Sequence, residues 1–195
     1  MAGDDHGPVA TERSVPVAPA VTQHVALVGL MGSGKTSVGR RLAKLLDRPF
    51  VDCDEGFIAR FGRTVADVFA QDGEDAFRSM ESKLLEELLA VRDPLVIATG
   101  GGVVVREENR TRLRQDDVKV VLLHAEPAFL SARAKAKAHR PLLAGDDPAV
   151  VLARLHAERI GWYLEVADDV VAIEPFHSDG GPKDAMAVYL AGRLA

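Results

Sequence analysis

Residues 29–39 read GLMGSGKTSVG, in which Gly29, Gly34, Lys35 and Thr36 fit the spacing G-x-x-x-x-G-K-[ST]. A short apolar run, HVALV at 24–28, stands before this stretch. After it comes TSVGRRLAKLL, with Val38, Leu42, Leu45 and Leu46 at helical spacing among basic residues. The turn therefore joins a buried strand to the first turn of a helix, where its chemistry requires it. Glycines there let successive backbone N–H groups curl around phosphate oxygens, and the helix N-terminus adds partial positive charge. Lys35 is placed to reach the β- and γ-phosphates, and the Thr36 hydroxyl to take a position on Mg²⁺. Gly32, Ser33, Gly34, Lys35, Thr36 and Ser37 are the candidate nucleotide-binding residues. A Gly-rich connection that contains Lys by chance is the bland alternative, and the flanking strand and helix weigh against it.

The whole 195-residue chain bounds what the turn can serve. Its length favours one domain with a sizeable core. Apolar content of 47% and charged content of 27% are those of an ordinary globular protein. A formal net charge of −5 argues against nucleic acid or an anionic membrane as the main partner. No apolar run approaches the ~20 residues that span a bilayer. Residues 1–22 carry three prolines, no apolar periodicity and no signal-peptide core, and read as a disordered tail ahead of a domain at 23–195. The single Cys53 excludes an internal disulfide and suits a reducing cytoplasm.

From His24 onward strands and helices alternate. Strands are expected at 24–28, 49–52, 95–98, 118–123 and 169–173, short and rich in Val, Ile and Leu as parallel strands buried on both faces are. Helices are expected at 35–46, 54–60, 64–71, 74–91, 106–114, 126–136, 148–166 and 183–193. Thr64 with Asp67 three residues on, and Asp147 followed by Pro148, are helix-start signals. The pattern predicts a three-layer α/β domain with a parallel sheet, its ligand site beyond the carboxyl ends of the strands.

Three further features fall at those ends. In FVDCDEG (50–56), Asp52 and Asp54 flank Cys53; strand alternation would place both carboxylates on one face. A phosphotransferase needs a carboxylate near its metal and an acceptor for the hydrogen of the attacking hydroxyl. Two solvated aspartates are the alternative. In ATGGGVV (98–104), Gly100, Gly101 and Gly102 suggest close approach of backbone to a ligand or another element, or merely a tight connection. Arg78, Arg140 and Arg159 are candidate anion-binding residues, although any one alone could be a solvated surface arginine. Arg140 lies in a stretch, 137–147, suited to a mobile loop that closes over ATP.

Taken together these motifs resemble those of the shikimate kinase family. The resemblance runs from about His24 to the C-terminus through the P-loop, D-x-D, the stretch GRTVADVFAQDGEDAFRSME, TGGG, RPLL and R-x-x-x-Y. It implies a nucleoside-monophosphate-kinase-like fold, a five-stranded parallel sheet of order 2-3-1-4-5 and a lid at about 134–147. It also implies transfer of the ATP γ-phosphoryl group to the 3-hydroxyl of shikimate, in aromatic amino-acid biosynthesis. On the matching positions, Asp54 would hold two shikimate hydroxyls and serve as base, and Arg78 and Arg159 would clamp the carboxylate. Gly101, between Gly100 and Gly102, would offer its backbone to a ring hydroxyl. Asp52 would hold Mg²⁺ through water beside Thr36. Lys35 and Arg140 would neutralise charge on the transferred group, and Arg133 would lie against adenine. Val65, Phe69 and Phe77 would wall the ring, or be ordinary core.

The chain departs from the family pattern at Ala59, at Gly161 and Trp162 (the latter expected to alter the pocket near Arg159), in most of the lid, and at 173–184 near adenine. Two other readings stay open: a P-loop kinase of another polyhydroxy acid or cyclitol, and a non-catalytic ATP-binding module. By size the chain is expected to act as a monomer on small molecules.

Overall fold

The computed structural model describes residues 22–134, 147–177 and 184–194. The tail up to residue 21, the lid between 135 and 146 with Arg140, and the side chain of Arg133 lie outside the described residues. In chain order the elements are β1 (His24–Val28), α1 (Lys35–Leu45), β2 (Phe50–Asp52), α2 (Cys53–Phe61), α3 (Val65–Leu89) and β3 (Val96–Ala98). They continue with α4 (Glu107–Leu113), β4 (Val118–His124), α5 (Pro127–Ala134), α6 (Pro148–Val166), β5 (Asp169–Ala172) and α7 (Ala185–Leu194). Single 3-10 turns cover Val103–Val105 and Glu174–His177.

The five strands form one parallel sheet of order β2-β3-β1-β4-β5. All of β1 is buried, as a central strand with helices on both faces must be. Register sets the site: Leu27 lies opposite Ala98 and Val121, and Asp52 opposite Ala98. The segments leaving β1, β2 and β3 therefore emerge side by side, bringing the P-loop, the D-x-D pair and the triple glycine together.

Local signals explain most boundaries. Thr64 and Asp67 form a reciprocal capping box at the start of α3, and the Asp147 carboxylate accepts from the Ala149 amide at 3.0 Å at the start of α6, with Pro148 following. The two helices expected at 64–71 and 74–91 run on as α3, broken only where Gly73 adopts φ 85° and ψ 175°. A left-handed φ is cheap for glycine, so this residue makes the joint. The other difference is at Asp52. Strand alternation does not extend to Asp54, because α2 begins at Cys53. The Asp52 side chain caps α2 instead, accepting from the amides of Asp54 (2.9 Å) and Glu55 (3.4 Å). No described helix is long and apolar enough to cross a membrane.

At the opposite, amino ends of the strands, buried His24 opens β1 with its Nδ1 accepting from the Leu95 amide at 3.1 Å. Burial lowers its pKa below the ordinary 6.5, against a smaller upward pull from Asp117. The folded chain thus holds this proton less tightly than the unfolded one. Its contribution to stability is complete above about pH 6.5 and is lost as pH falls through the lowered value. Urea midpoints are expected to drop between pH 7.5 and 5.5, with a shallower drop in His24→Asn; equal slopes would contradict this role.

Candidate active site

The phosphate loop is built on backbone conformations that side chains resist. Gly34, the N-cap of α1, sits at φ 95° and brings no side chain to the helix start. The first turn of α1 holds no acidic residue, so nothing there repels an anion from its N-terminal amides. Lys35 is buried and lies along the loop, its Nζ donating to the carbonyls of Gly29 (2.7 Å) and Leu30 (3.0 Å). Ser33 is fully buried beneath the loop, so only its backbone can serve a phosphate. Ser37 is exposed, and its hydroxyl accepts from Arg41 at 2.5 Å.

Beside the loop, the Thr36 hydroxyl donates to Asp52 Oδ2 at 2.6 Å. With its other oxygen capping α2, Asp52 is locked in orientation. Hydroxyl and carboxylate are hard oxygen donors and suit a cation that completes its shell with water and phosphate. Asp54 follows in the first turn of α2 and is exposed, with its charge felt by Glu81 and Cys53. Cys53 itself is core: burial, then the charges of Glu81, Asp52 and Asp54, push its thiol up and keep it protonated.

The acceptor side centres on the triple glycine. Arg78 and Glu81 on α3 are both buried and pair at 2.6 Å between Nη1 and Oε2. A Cβ on Gly100 would fall within 3.0 Å of the Glu81 carboxylate, and one on Gly102 within 3.0 Å of the Arg78 guanidinium. Neither glycine has positive φ. Close approach of backbone to a buried ion pair is what they provide, which decides against a mere tight connection. The Gly101 carbonyl accepts from Arg159 at 3.0 Å and from the Tyr163 hydroxyl, both on α6. Gly101 also rests on the phosphate loop, where a Cβ would lie 3.4 Å from the Met31 amide nitrogen. Burial pushes the Tyr163 phenol up, keeping it a donor. Burial likewise raises the Glu81 carboxyl, and Arg78 pulls it back.

The structure thus brings together Lys35, Thr36, Asp52, Asp54, Arg78, Gly100, Gly101, Gly102 and Arg159, and leaves Arg140 and the Arg133 side chain undescribed. The Trp162 ring lies 5.2 Å under the Arg110 guanidinium of α4. Phe69 and Phe77 do stack (4.8 Å), but in one cluster with Phe57 and Phe61, so Phe77 is core as much as wall. Two residues received no role from sequence. Glu81 stands three residues after Arg78, the helical spacing of an ion pair, and Tyr163 four after Arg159; both spacings were the available signals.

Gly102→Ala is expected to raise the KM for the acceptor about tenfold by displacing Arg78. Gly161→Ala, where an added Cβ meets nothing within 4 Å, should leave that KM alone and stabilise α6 by about 0.5–1 kcal/mol. Steady-state kinetics and urea melts of the two variants check both halves.

A parallel P-loop sheet with a carboxylate beside the loop threonine, and two buried arginines against a glycine turn in contact with the loop, defines a small phosphotransferase acting on an anionic acceptor. The family model described as shikimate kinase matches residues 31–180. A shikimate kinase from Symbiobacterium thermophilum is 50% identical over 146 residues, 74% of this chain and 83% of that one. Another, from Pseudomonas syringae pv. syringae, is 40% identical over 173 residues, 89% and 96% of the two chains. Among solved structures, shikimate kinase from Acinetobacter baumannii in complex with shikimate superposes with a TM-score of 0.80 at 34% identity, covering 90% of this chain and 94% of the other. The chain belongs to the shikimate kinase family.

Proposed function

We propose that this chain transfers the γ-phosphoryl group of ATP to the 3-hydroxyl of shikimate, releasing ADP and shikimate 3-phosphate for chorismate and aromatic amino-acid biosynthesis. The observation that carries this reading is the pair of buried arginines, Arg78 and Arg159, set against the triple-glycine turn that touches the phosphate loop. A carboxylate with neighbouring ring hydroxyls needs cationic forks at one end and hydrogen-bond acceptors at the other. Arg78 and Arg159 supply the first, and Asp54 the second. The Gly101 backbone, its carbonyl fixed by Tyr163, faces a ring hydroxyl.

In this reading Asp54 accepts the proton of the attacking hydroxyl as its oxygen bonds to the γ-phosphorus and the bond to ADP breaks. Lys35 neutralises charge on the transferring group, and Arg140 joins it. Positioning and charge stabilisation carry most of the rate for such a transfer. Thr36 and Asp52 would hold Mg²⁺, which when bound shields phosphate charge. Gly32, Ser33, Gly34 and Ser37 would cradle the phosphates, and Arg133 would serve adenine. A net charge of −5 and one buried cysteine support a small-molecule enzyme of a reducing compartment, the cytoplasm, and the size of the chain supports a monomer.

Phosphorus-31 NMR of the product tests the regiochemistry. Coupling of the new phosphate to the ring proton on carbon 3 is expected; coupling at any other carbon overturns the placement of Asp54.

A further inference from the structure

Three of the five N–H donors of Arg78 are already engaged, and by two carboxylates of different character. Its Nη1 holds Glu81, whose side chain is 7% exposed, at 2.6 Å. Its Nε and Nη2 edge is taken by a single oxygen of Glu74, at 3.2 and 3.0 Å. Glu74 is 56% exposed. It is also the first residue after the Gly73 break in α3. Around this arginine stand three carboxylates, Glu74, Glu81 and Asp54, against two guanidiniums, Arg78 and Arg159. An acceptor carboxylate adds another negative charge to a site already short of positive ones. Exchange with one of the three would keep the balance of charge.

Glu81 is sealed beneath Gly100 and makes the shorter bond, so removing it would leave a buried cation unpaired. Asp54 is wanted by the hydroxyls of the acceptor. Glu74 makes longer, shared bonds, is wet, and follows a glycine joint, so it gives way at least cost. The edge it covers is also one that a planar carboxylate engages with two parallel hydrogen bonds. We propose that Glu74 is a displaceable counter-ion, holding the outward edge of Arg78 until the carboxylate of the acceptor exchanges with it.

The inference rests on Arg78 being the acceptor clamp, and it sets a sign opposite to that of an ordinary positioning residue. A carboxylate that orients Arg78 for substrate weakens binding when removed; one that competes for Arg78 strengthens it. Calorimetric titration of shikimate into the full chain carrying Glu74→Gln is expected to show affinity raised about two- to fivefold. The carboxamide analogue of shikimate, which brings no charge to exchange, is expected to gain nothing. Arg78→Ala, titrated in parallel, separates the two readings. If it weakens shikimate binding while Glu74→Gln leaves affinity unchanged or lowers it, the counter-ion exchange is wrong and the clamp stands. An equal gain for the carboxamide likewise overturns the exchange. If Arg78→Ala does not weaken binding, the clamp falls and this inference with it.

Discussion

Lys35→Ala is expected to lower kcat about a thousandfold, the scale on which enzymes lose rate when a preorganised charge aimed at the transition state is removed. The side chain is buried among loop atoms rather than reaching into bulk water, so its charge acts in a medium that screens it weakly. Lys35 also ties the carbonyls of Gly29 and Leu30 together, so part of any loss could come from a loosened loop. Lys35→Met separates the two causes because it keeps the apolar stem and loses the charge. Under saturating ATP and shikimate, kcat of the methionine variant should fall nearly as far as that of alanine. A variant with near-normal kcat and only a raised KM for ATP would make Lys35 a structural brace.

Arg78→Ala is expected to do two things at once. Losing a charge-assisted fork should weaken shikimate binding about 30- to 100-fold while ATP affinity is largely retained. The same change strands Glu81, buried beneath Gly100, and should cost about 3–5 kcal/mol of stability. The pH dependence identifies the second effect. Burial raises the Glu81 carboxyl above its ordinary 4.5 even with Arg78 beside it, and further without. A carboxyl held above its unfolded pKa contributes stability that is complete below that value and lost as pH rises through the folded one. The variant should therefore be most stable in mild acid and weaken as pH rises from about 4.5. Arg78→Ala combined with Glu81→Gln should recover stability but not acceptor binding. Recovery of both would show that Arg78 serves packing alone, and collapse of ATP binding in the single variant would move Arg78 out of the acceptor pocket.

What the sequence made legible follows from how local each interaction is. The phosphate loop, the capping box at Thr64 and the Asp147-Pro148 helix start depend on residues within a few positions of one another, and each was readable. The parallel sheet followed from short apolar runs, and its order from resemblance. The alternation argument at Asp52 failed because a carboxylate one residue before a helix prefers to cap it, which ended the strand early. The reason for three glycines was invisible, since Gly100 and Gly102 are shaped by Glu81 and Arg78 from another element. Tyr163 reaches Gly101 across 62 residues of chain, and only the packing of α6 against the turn after β3 reveals that contact. The stacking of Arg110 on Trp162 was not readable, because Arg110 sits on α4, nowhere near it in sequence.

The central claim is that one site joins ATP to one particular acid. ADP release with Mg²⁺-ATP, measured on the full chain against shikimate, quinate, gluconate, a cyclitol and AMP, tests it most directly. Rapid turnover with shikimate, and far slower turnover with the rest, is the predicted result. Turnover with another acceptor and none with shikimate would contradict the account and assign the buried arginines to a different acid.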